Sequence, residues 1–216
     1  MTEKTETTAP SDEFRERLLD AMLLQAAEKG WTKAAFDAAA TESGLSAGQA
    51  MLAAPGGVAD LLEALAQRAA GAAAARLAAP DIRAMKVREK VAAGVRAYLA
   101  ALEQAKPAVR RAAGSPVNLL TGPKGVWIAA DAIWSALGDK STDFNWYTKR
   151  MILSGVIGST LLVWLGTDGA GDVDAFLARR IQNVMDFETA KGRAREFASK
   201  LPDPLDLLGR KTPPSA

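Results

Sequence analysis

The sequence contains no cysteine and no histidine among its 216 residues. Their absence excludes disulfide bonds, zinc sites of the ordinary kind, and the Ser-His and Cys-His arrangements used in nucleophilic catalysis. An enzyme built from the remaining residues would rely on carboxylates, lysine, tyrosine or a cofactor. No pair of carboxylates stands in an apolar setting that would tune one of them as a general acid. We therefore predict a protein that is not an enzyme, with no catalytic residue and no metal site.

Excess charge and long apolar runs are also lacking. The net charge is +2, so the chain as a whole is not an electrostatic partner for nucleic acid. The first residues, Met1–Glu13, mix polar and charged types without an apolar run, which predicts neither a signal peptide nor a transit sequence. The longest apolar stretch, Met151–Leu165, is shorter than the roughly 20 residues that span a bilayer. We expect it to be a core helix that is buried on nearly every side.

Hydrophobic residues make up 49% of the chain and recur with helical spacing, so the sequence predicts an all-α fold of about nine helices. The expected order is a disordered leader (1–10), a helix-turn-helix-like unit of three helices (11–66) and a helical bundle (67–186). An amphipathic tail (187–208) and a disordered end (209–216) follow. Within the bundle, the stretch Gly114–Gly125 contains several glycines and prolines and is predicted to be a loop.

The N-terminal unit resembles the DNA-binding domain of TetR-type regulators in the pattern Gly30, Thr32, Phe36, Ala39, Gly44, Leu45, Ser46 and Asp60. This resemblance implies a homodimer formed by the last two bundle helices, Asp143–Leu165 and Asp172–Asp186. A recognition helix should present cations and amides to DNA, but the segment from Ser46 to Gly57 offers only Gln49 and no cation. We do not expect nucleic acid binding. A TetR-type DNA-binding regulator with an apolar ligand is the alternative hypothesis.

The densest chemistry lies in the run from Gly138 to Arg150, GDKSTDFNWYTKR. Gly138 is typical of a helix C-cap, and Ser141, Thr142 and Asp143 each offer a side-chain oxygen to the start of the next helix. That helix is predicted to run from Asp143 to about Leu165. Its first turns carry aromatic and charged residues that packing alone does not require, although they could also serve only to cap the bundle.

The same run, preceded by Trp127 and Trp134, resembles the signature of the coenzyme Q biosynthesis accessory family, over residues Phe14 to about Glu188. Members of that family are lipid-binding proteins that assist the di-iron hydroxylase acting on demethoxyubiquinone. The resemblance implies the same role here, with that hydroxylase as partner. The positions that match the partner-binding patch of the family are Asp139, Asp143, Trp146, Tyr147, Lys149 and Arg150.

The family resemblance also implies a bound isoprenoid lipid or quinone precursor, and no other cofactor. A polyprenyl chain requires apolar walls and no titratable group, which a cavity between bundle helices can supply. Core packing is the other role open to the two tryptophans, which lie seven residues apart. The residues that we expect to line the cavity are Trp127, Trp134, Met151, Val156 and Ile157.

The tail is predicted to contact a membrane surface. Phe187, Phe197 and Leu201, with two alanines, form a narrow apolar stripe at helical spacing, and cations lie along both of its borders. Border cations can reach lipid phosphates while the stripe enters the acyl chains. An ordinary solvated helix is the alternative. The residues predicted to contact the membrane are Phe187, Lys191, Arg193, Arg195, Phe197, Lys200 and Leu201. We expect the protein to lie in the bacterial cytoplasm, peripherally associated with the inner membrane.

Overall fold

The computed structural model describes residues 9–200 except 143 and 169, and describes the backbone alone at 117–121, 170, 188 and 191–200. This part of the chain contains nine α-helices, two short 3-10 turns and no strand, which confirms the predicted all-α class. The TetR-like arrangement stays a prediction. The helices are α1 Pro10–Lys29, α2 Lys33–Glu42, α3 Ala47–Ala53, α4 Val58–Ala78, α5 Val87–Ala101, α6 Lys106–Ala113, α7 Pro116–Ala136, α8 Phe144–Gly166 and α9 Ala170–Lys200.

Side-chain caps begin two of the three N-terminal helices, α2 and α3. Thr32 accepts a hydrogen bond from the backbone N–H of Ala35 at the start of α2, and Ser46 begins α3 with a capping box that includes Gln49. Gly30 ends α1 with φ of 73°, a conformation that suits glycine. The Trp31 indole N–H donates to the carbonyl of Ala108 at 2.8 Å, which ties this unit to α6.

Small residues let the bundle helices pack closely. Helix α4 contacts both α5 and α7 along most of its length. At Gly94 on α5, a Cβ atom would lie 3.1 Å from Ile133 of α7 and 3.2 Å from Leu77 of α4. A side chain at this crossing would therefore require the side chains of Ile133 and Leu77 to shift by a few tenths of an ångström.

The predicted loop at 114–125 is wrong, because these residues belong largely to helix α7. Pro116 is the first residue of α7, where a missing N–H costs nothing, but Pro123 lies inside the helix. An interior proline costs about 3 kcal/mol. The helix packs against α4 despite this cost, closely enough that a Cβ at Gly125 would lie 3.4 Å from the Cβ of Ala66. Tertiary contact thus overrides local propensity.

Helix α8 has nearly the predicted bounds, but the expectation that it is buried on nearly every side is wrong. Leu153, Val156 and Ile157 are buried, whereas Met151 is 61% exposed and Leu162 is 68% exposed. By length and composition alone this 23-residue helix is long and apolar enough to cross a membrane. That criterion is weak, because core helices of water-soluble proteins also meet it. Helix α8 therefore has one buried face and one exposed apolar face.

Helix α9 is continuous across the predicted boundary between bundle and tail at residues 186 and 187. Its N-terminal half packs on α8 and α5 through Val173 and Leu177, which are 8% and 0% exposed. Helix α4 likewise crosses the predicted boundary at 66 and 67. Neither boundary coincides with the end of a helix.

Candidate functional site

A buried ionic cluster occupies the turn between α7 and α8. Gly138, with φ of 75°, lets the backbone N–H of Asp139 donate to the carbonyl of Trp134 at 3.1 Å. The Asp139 carboxylate is only 4% exposed, and it accepts hydrogen bonds from Lys149 Nζ at 2.7 Å and from Ser141 Oγ at 2.8 Å. The turn therefore places the buried Asp139 carboxylate within ion-pair distance of the cations of α8.

Arg150 completes this cluster from the core side. Its guanidinium is 2% exposed and donates to Asp131 at 2.6 Å and to Asp139 at 3.0 Å. The same group lies 3.9 Å from the ring centroid of Trp146. The expectation that Asp139 and Arg150 face a partner is thus corrected: both side chains are buried and bind each other. Lys149 is partly exposed but is also engaged, with Asp139 and Ser141.

The cluster fixes the charge state of Asp139. The hydrogen bond from Lys149 lowers the pKa of this carboxyl far below its ordinary value of 3.8, against the opposing effect of desolvation. Hydrogen bonds from Ser141 and Arg150 lower the pKa further. Asp139 therefore stays ionised at pH values well below those at which an ordinary aspartate takes up a proton, which suits an electrostatic anchor.

The aromatic residues of the run divide into an inner and an outer group. Trp146 is half-buried, edge-on to Trp127 at 5.9 Å and to Tyr147 at 4.7 Å. Three side chains form the outer group: Tyr147 is 58% exposed, Phe144 is 81% exposed and Met151 is 61% exposed. The spacing of three and four residues places these last three on one face of α8, which we call the α8 stripe. Asp143 lies outside the described residues.

The α8 stripe shares only Tyr147 with the predicted patch, and its other two members, Phe144 and Met151, were not predicted there. Sequence reasoning missed Phe144, although its spacing of three residues from Tyr147 signals a shared helix face. Met151 was predicted to line a lipid cavity, but its exposure and position place it in the stripe. The exposed surface here is therefore apolar and aromatic, with the charges behind it.

A cavity of about 400 Å³ lies between α5, α8 and α9. Trp134 and Val156 line it as predicted for those two residues, whereas Trp127, Met151 and Ile157 do not. Trp134 donates its indole N–H to the carbonyl of Lys149 at 3.1 Å, which fixes the ring at the cavity wall. The full lining is Val87, Arg88, Val91, Trp134, Asn145, Thr148, Lys149, Ile152, Leu153, Val156, Ile181, Val184 and Met185.

A wider groove of about 1100 Å³ adjoins this cavity along α4, α5 and α9. Arg88 and Ile181 line both, so they mark the junction between them. The groove floor consists mainly of alanines of α4, α5 and α9. The spacing of Val87 and Val91 in the sequence is typical of a packed helix face and gives no sign that the intervening Arg88 borders a cavity.

The predicted tail residues are only partly described. Phe187 is 63% exposed on α9, consistent in position with a surface contact. The helix continues to Lys200, but the side chains of Lys191, Arg193, Arg195, Phe197 and Lys200 lie outside the description, as does the whole of Leu201. Their contact with a membrane stays a prediction.

The N-terminal unit offers little to DNA. Gln49, the one base-reading side chain expected there, accepts a hydrogen bond from the backbone N–H of Ser46 at 2.9 Å within the α3 cap. Its neighbours Met51 and Leu52 are 57% and 56% exposed and carry no charge. Arg68, one of the nearest cations, is held by carboxylates of α1. Nothing in this geometry supports phosphate binding by α3. Among the described residues, no group of three or more Asp or Glu side chains could hold a metal ion.

Comparison with known proteins gives a match to the part of the chain that contains the Asp139 cluster and the α8 stripe. Residues 120–188 match the COQ9 family model. Similar proteins named "Ubiquinone biosynthesis protein COQ9, mitochondrial" include those of Bos taurus (40% identical over 79 residues, covering 35% of this chain and 23% of the relative) and Homo sapiens (37% over 81 residues, 36% and 23%). The protein of that name from Xenopus tropicalis is 34% identical over 107 residues (48% and 33%). The matched segment thus spans at most about a third of the length of these relatives.

Proposed function

We propose that this chain, whose residues 120–188 form a COQ9 family region, is a non-catalytic accessory protein of ubiquinone biosynthesis. It binds an isoprenoid quinone precursor in the bundle and presents it to the demethoxyubiquinone hydroxylase, a di-iron enzyme. A role in ubiquinone biosynthesis is supported by the family match and by the names of the relatives. Lipid binding and presentation are argued below from the geometry.

The cavity between α5, α8 and α9 is the observation that carries the proposal. Its volume of about 400 Å³ lies within the range of ligand sites, and its walls are mainly valine, leucine, isoleucine and the Trp134 ring. Burial of an apolar chain there is driven by the hydrophobic effect and needs no catalytic group. Part of its lining, including Trp134 and Leu153, belongs to the region matched by the family.

The α8 stripe is the surface that we assign to the hydroxylase. Phe144 and Tyr147 are large, exposed aromatic side chains on adjacent turns, and Trp146 packs edge-on against Tyr147. Such exposed aromatic clusters are typical of interface hot spots. The buried cluster around Asp139 and Arg150 holds the start of the helix that presents the stripe. In this proposal the stripe contacts the hydroxylase and the buried cluster stabilises the helix.

Two further parts of the proposal concern assembly. A second copy of the chain would cover the C-terminal half of the exposed face of α8, where Leu162 is 68% exposed, to give the homodimer. The end of α9, beginning with exposed Phe187, would rest on the inner membrane of a bacterium as a peripheral contact. These two surfaces leave the α8 stripe at the N-terminal end of the helix free for the hydroxylase.

The test is organic extraction of the purified protein followed by mass spectrometry for isoprenoid quinone precursors and phospholipids. We expect a quinone precursor in a roughly stoichiometric amount. Val184→Phe should reduce it, because Val184 lines the cavity and a larger side chain would fill the space. The matched control is Val163→Phe, at a half-buried position of α8 outside the cavity lining, which should retain the lipid.

Two outcomes would overturn the proposal. Retention of the same lipid by Val184→Phe, with circular dichroism showing a folded protein, would exclude this cavity as the binding site. Turnover of a quinone precursor by the purified chain alone would show that the protein is an enzyme rather than an accessory.

A further inference from the structure

The charges around the cavity between α5, α8 and α9 are all of one sign. Its polar lining consists of Arg88 and Lys149 with the neutral side chains of Asn145 and Thr148. Among the described residues that line it, none is aspartate or glutamate. A positively charged lining attracts a ligand with an anionic group more strongly than a neutral hydrocarbon.

The two cations are not equivalent. Lys149 Nζ is 2.7 Å from the Asp139 carboxylate and 2.9 Å from Ser141 Oγ, so its charge is already compensated within the protein. Arg88, within the described part of the chain, makes no hydrogen bond or ion pair. Its neighbour Glu89 is engaged instead with the backbone N–H of Lys86 at 3.0 Å, in the cap of α5. The guanidinium of Arg88 is therefore available to a ligand.

Arg88 also has the right position. It lines both the cavity and the adjoining groove, together with Ile181. A ligand in either space therefore lies beside Arg88. The other two arginines of the groove are already paired, Arg76 with Asp81 at 2.6 Å and Arg96 with Asp174 at 2.6 Å. Arg88 is thus the one of these three groove arginines that makes no ion pair within the described residues, although Glu89 also lines the groove.

We propose that this cavity prefers amphiphiles with an anionic group, a carboxylate or a phosphate, and that Arg88 binds that group while the apolar chain fills the cavity. A guanidinium matches both anions with two parallel hydrogen bonds, which are stronger than neutral ones. The inference rests on the proposed lipid binding, and it adds the chemistry of the head group and the residue that selects it.

The experiment measures binding of three probes with the same 16-carbon chain to the full-length protein by isothermal titration calorimetry below their aggregation concentrations. The probes are palmitate, hexadecyl phosphate and hexadecanol. We expect both anions to bind about tenfold more tightly than the alcohol, since a hydrogen bond to a charged group is worth more than a neutral one. Preference for palmitate would identify a carboxylate ligand, and preference for hexadecyl phosphate would identify a phosphate head group.

Variants at Arg88 make the test specific. Arg88→Gln should remove most of the preference for anions and leave the affinity for hexadecanol unchanged, and Arg88→Lys should keep part of the preference. The control is Arg179→Gln, an exposed cation of α9 that lines neither the cavity nor the groove, and it should bind all three probes like the parent.

The outcomes separate this inference from the function on which it rests. Equal affinity of the parent for alcohol and anions, or an undiminished preference in Arg88→Gln, would overturn the role of Arg88 while lipid binding stands. Absence of binding by all three probes, with no lipid extracted from the purified protein, would overturn both.

Discussion

Replacement of Arg150 by methionine should destabilise the protein strongly, although the sequence places this arginine in a partner-binding patch. The guanidinium is 2% exposed and donates to two carboxylates, Asp131 at 2.6 Å and Asp139 at 3.0 Å. Removal of one partner from a buried ion pair costs roughly 3–5 kcal/mol. The lower end applies here, because Lys149 still binds Asp139 and because Asp131 is 44% exposed. We therefore expect a loss of about 3 kcal/mol in the free energy of unfolding.

Urea denaturation followed by circular dichroism measures this loss from the transition midpoint and slope. The matched control is Lys33→Met, which breaks an exposed pair with Asp37 and should change the free energy of unfolding by less than about 0.5 kcal/mol. A loss below about 1 kcal/mol for Arg150→Met would refute the reasoning. A variant with parental stability but weakened hydroxylase binding would instead restore Arg150 to the docking surface.

Two further predictions concern the same turn. The pKa of Asp139 is lower in the folded protein than its ordinary value of 3.8, so its stabilising effect is complete above about pH 4 and is lost as the pH falls further. Asp139→Asn should therefore flatten the fall of the unfolding free energy between pH 4 and pH 2 in urea titrations, and an unchanged slope would contradict the assignment. Tyr147→Ala should weaken hydroxylase binding by about 2 kcal/mol, measured by calorimetry, with little change in melting temperature because Tyr147 is 58% exposed; unaltered binding would remove the α8 stripe as the docking surface.

Helices with clear local signals were predictable from the sequence. The cap at Thr32, the glycine at Gly30 and the long apolar run of α8 lie where the structure places the ends and the middle of helices. The start of α7 was not predictable, because Pro123 and Gly125 have the local chemistry of a loop. The helix persists where α7 packs against α4, with Gly125 beside Ala66, and this packing joins residues far apart in the sequence.

The candidate site shows the same division between local and tertiary information. The aromatic and charged content of the run predicted that something beyond packing happens at the start of α8. It did not predict which charges are buried, because the pairing of Arg150 with Asp131 depends on how α7 and α8 cross. Arg88 was missed for a related reason: within α5 it is one of three charged residues between Val87 and Val91, and its cavity exists only once α8 and α9 are in place.

The geometry of α8 decides how substitutions in this run should be interpreted. The cluster of Asp139, Lys149 and Arg150 holds together the end of α7 and the start of α8, and the start of α8 displays Phe144 and Tyr147. Lys149 also lines the cavity. A substitution in the cluster therefore shifts the turn, the cavity wall and the exposed surface together, so weakened hydroxylase binding by such a variant does not identify a contact. Phe144 and Tyr147 are exposed and lie outside this cluster, although the Tyr147 ring also packs edge-on against Trp146 at 4.7 Å. A substitution of Phe144 or Tyr147 that weakens binding of the hydroxylase without changing the free energy of unfolding would therefore identify a direct contact.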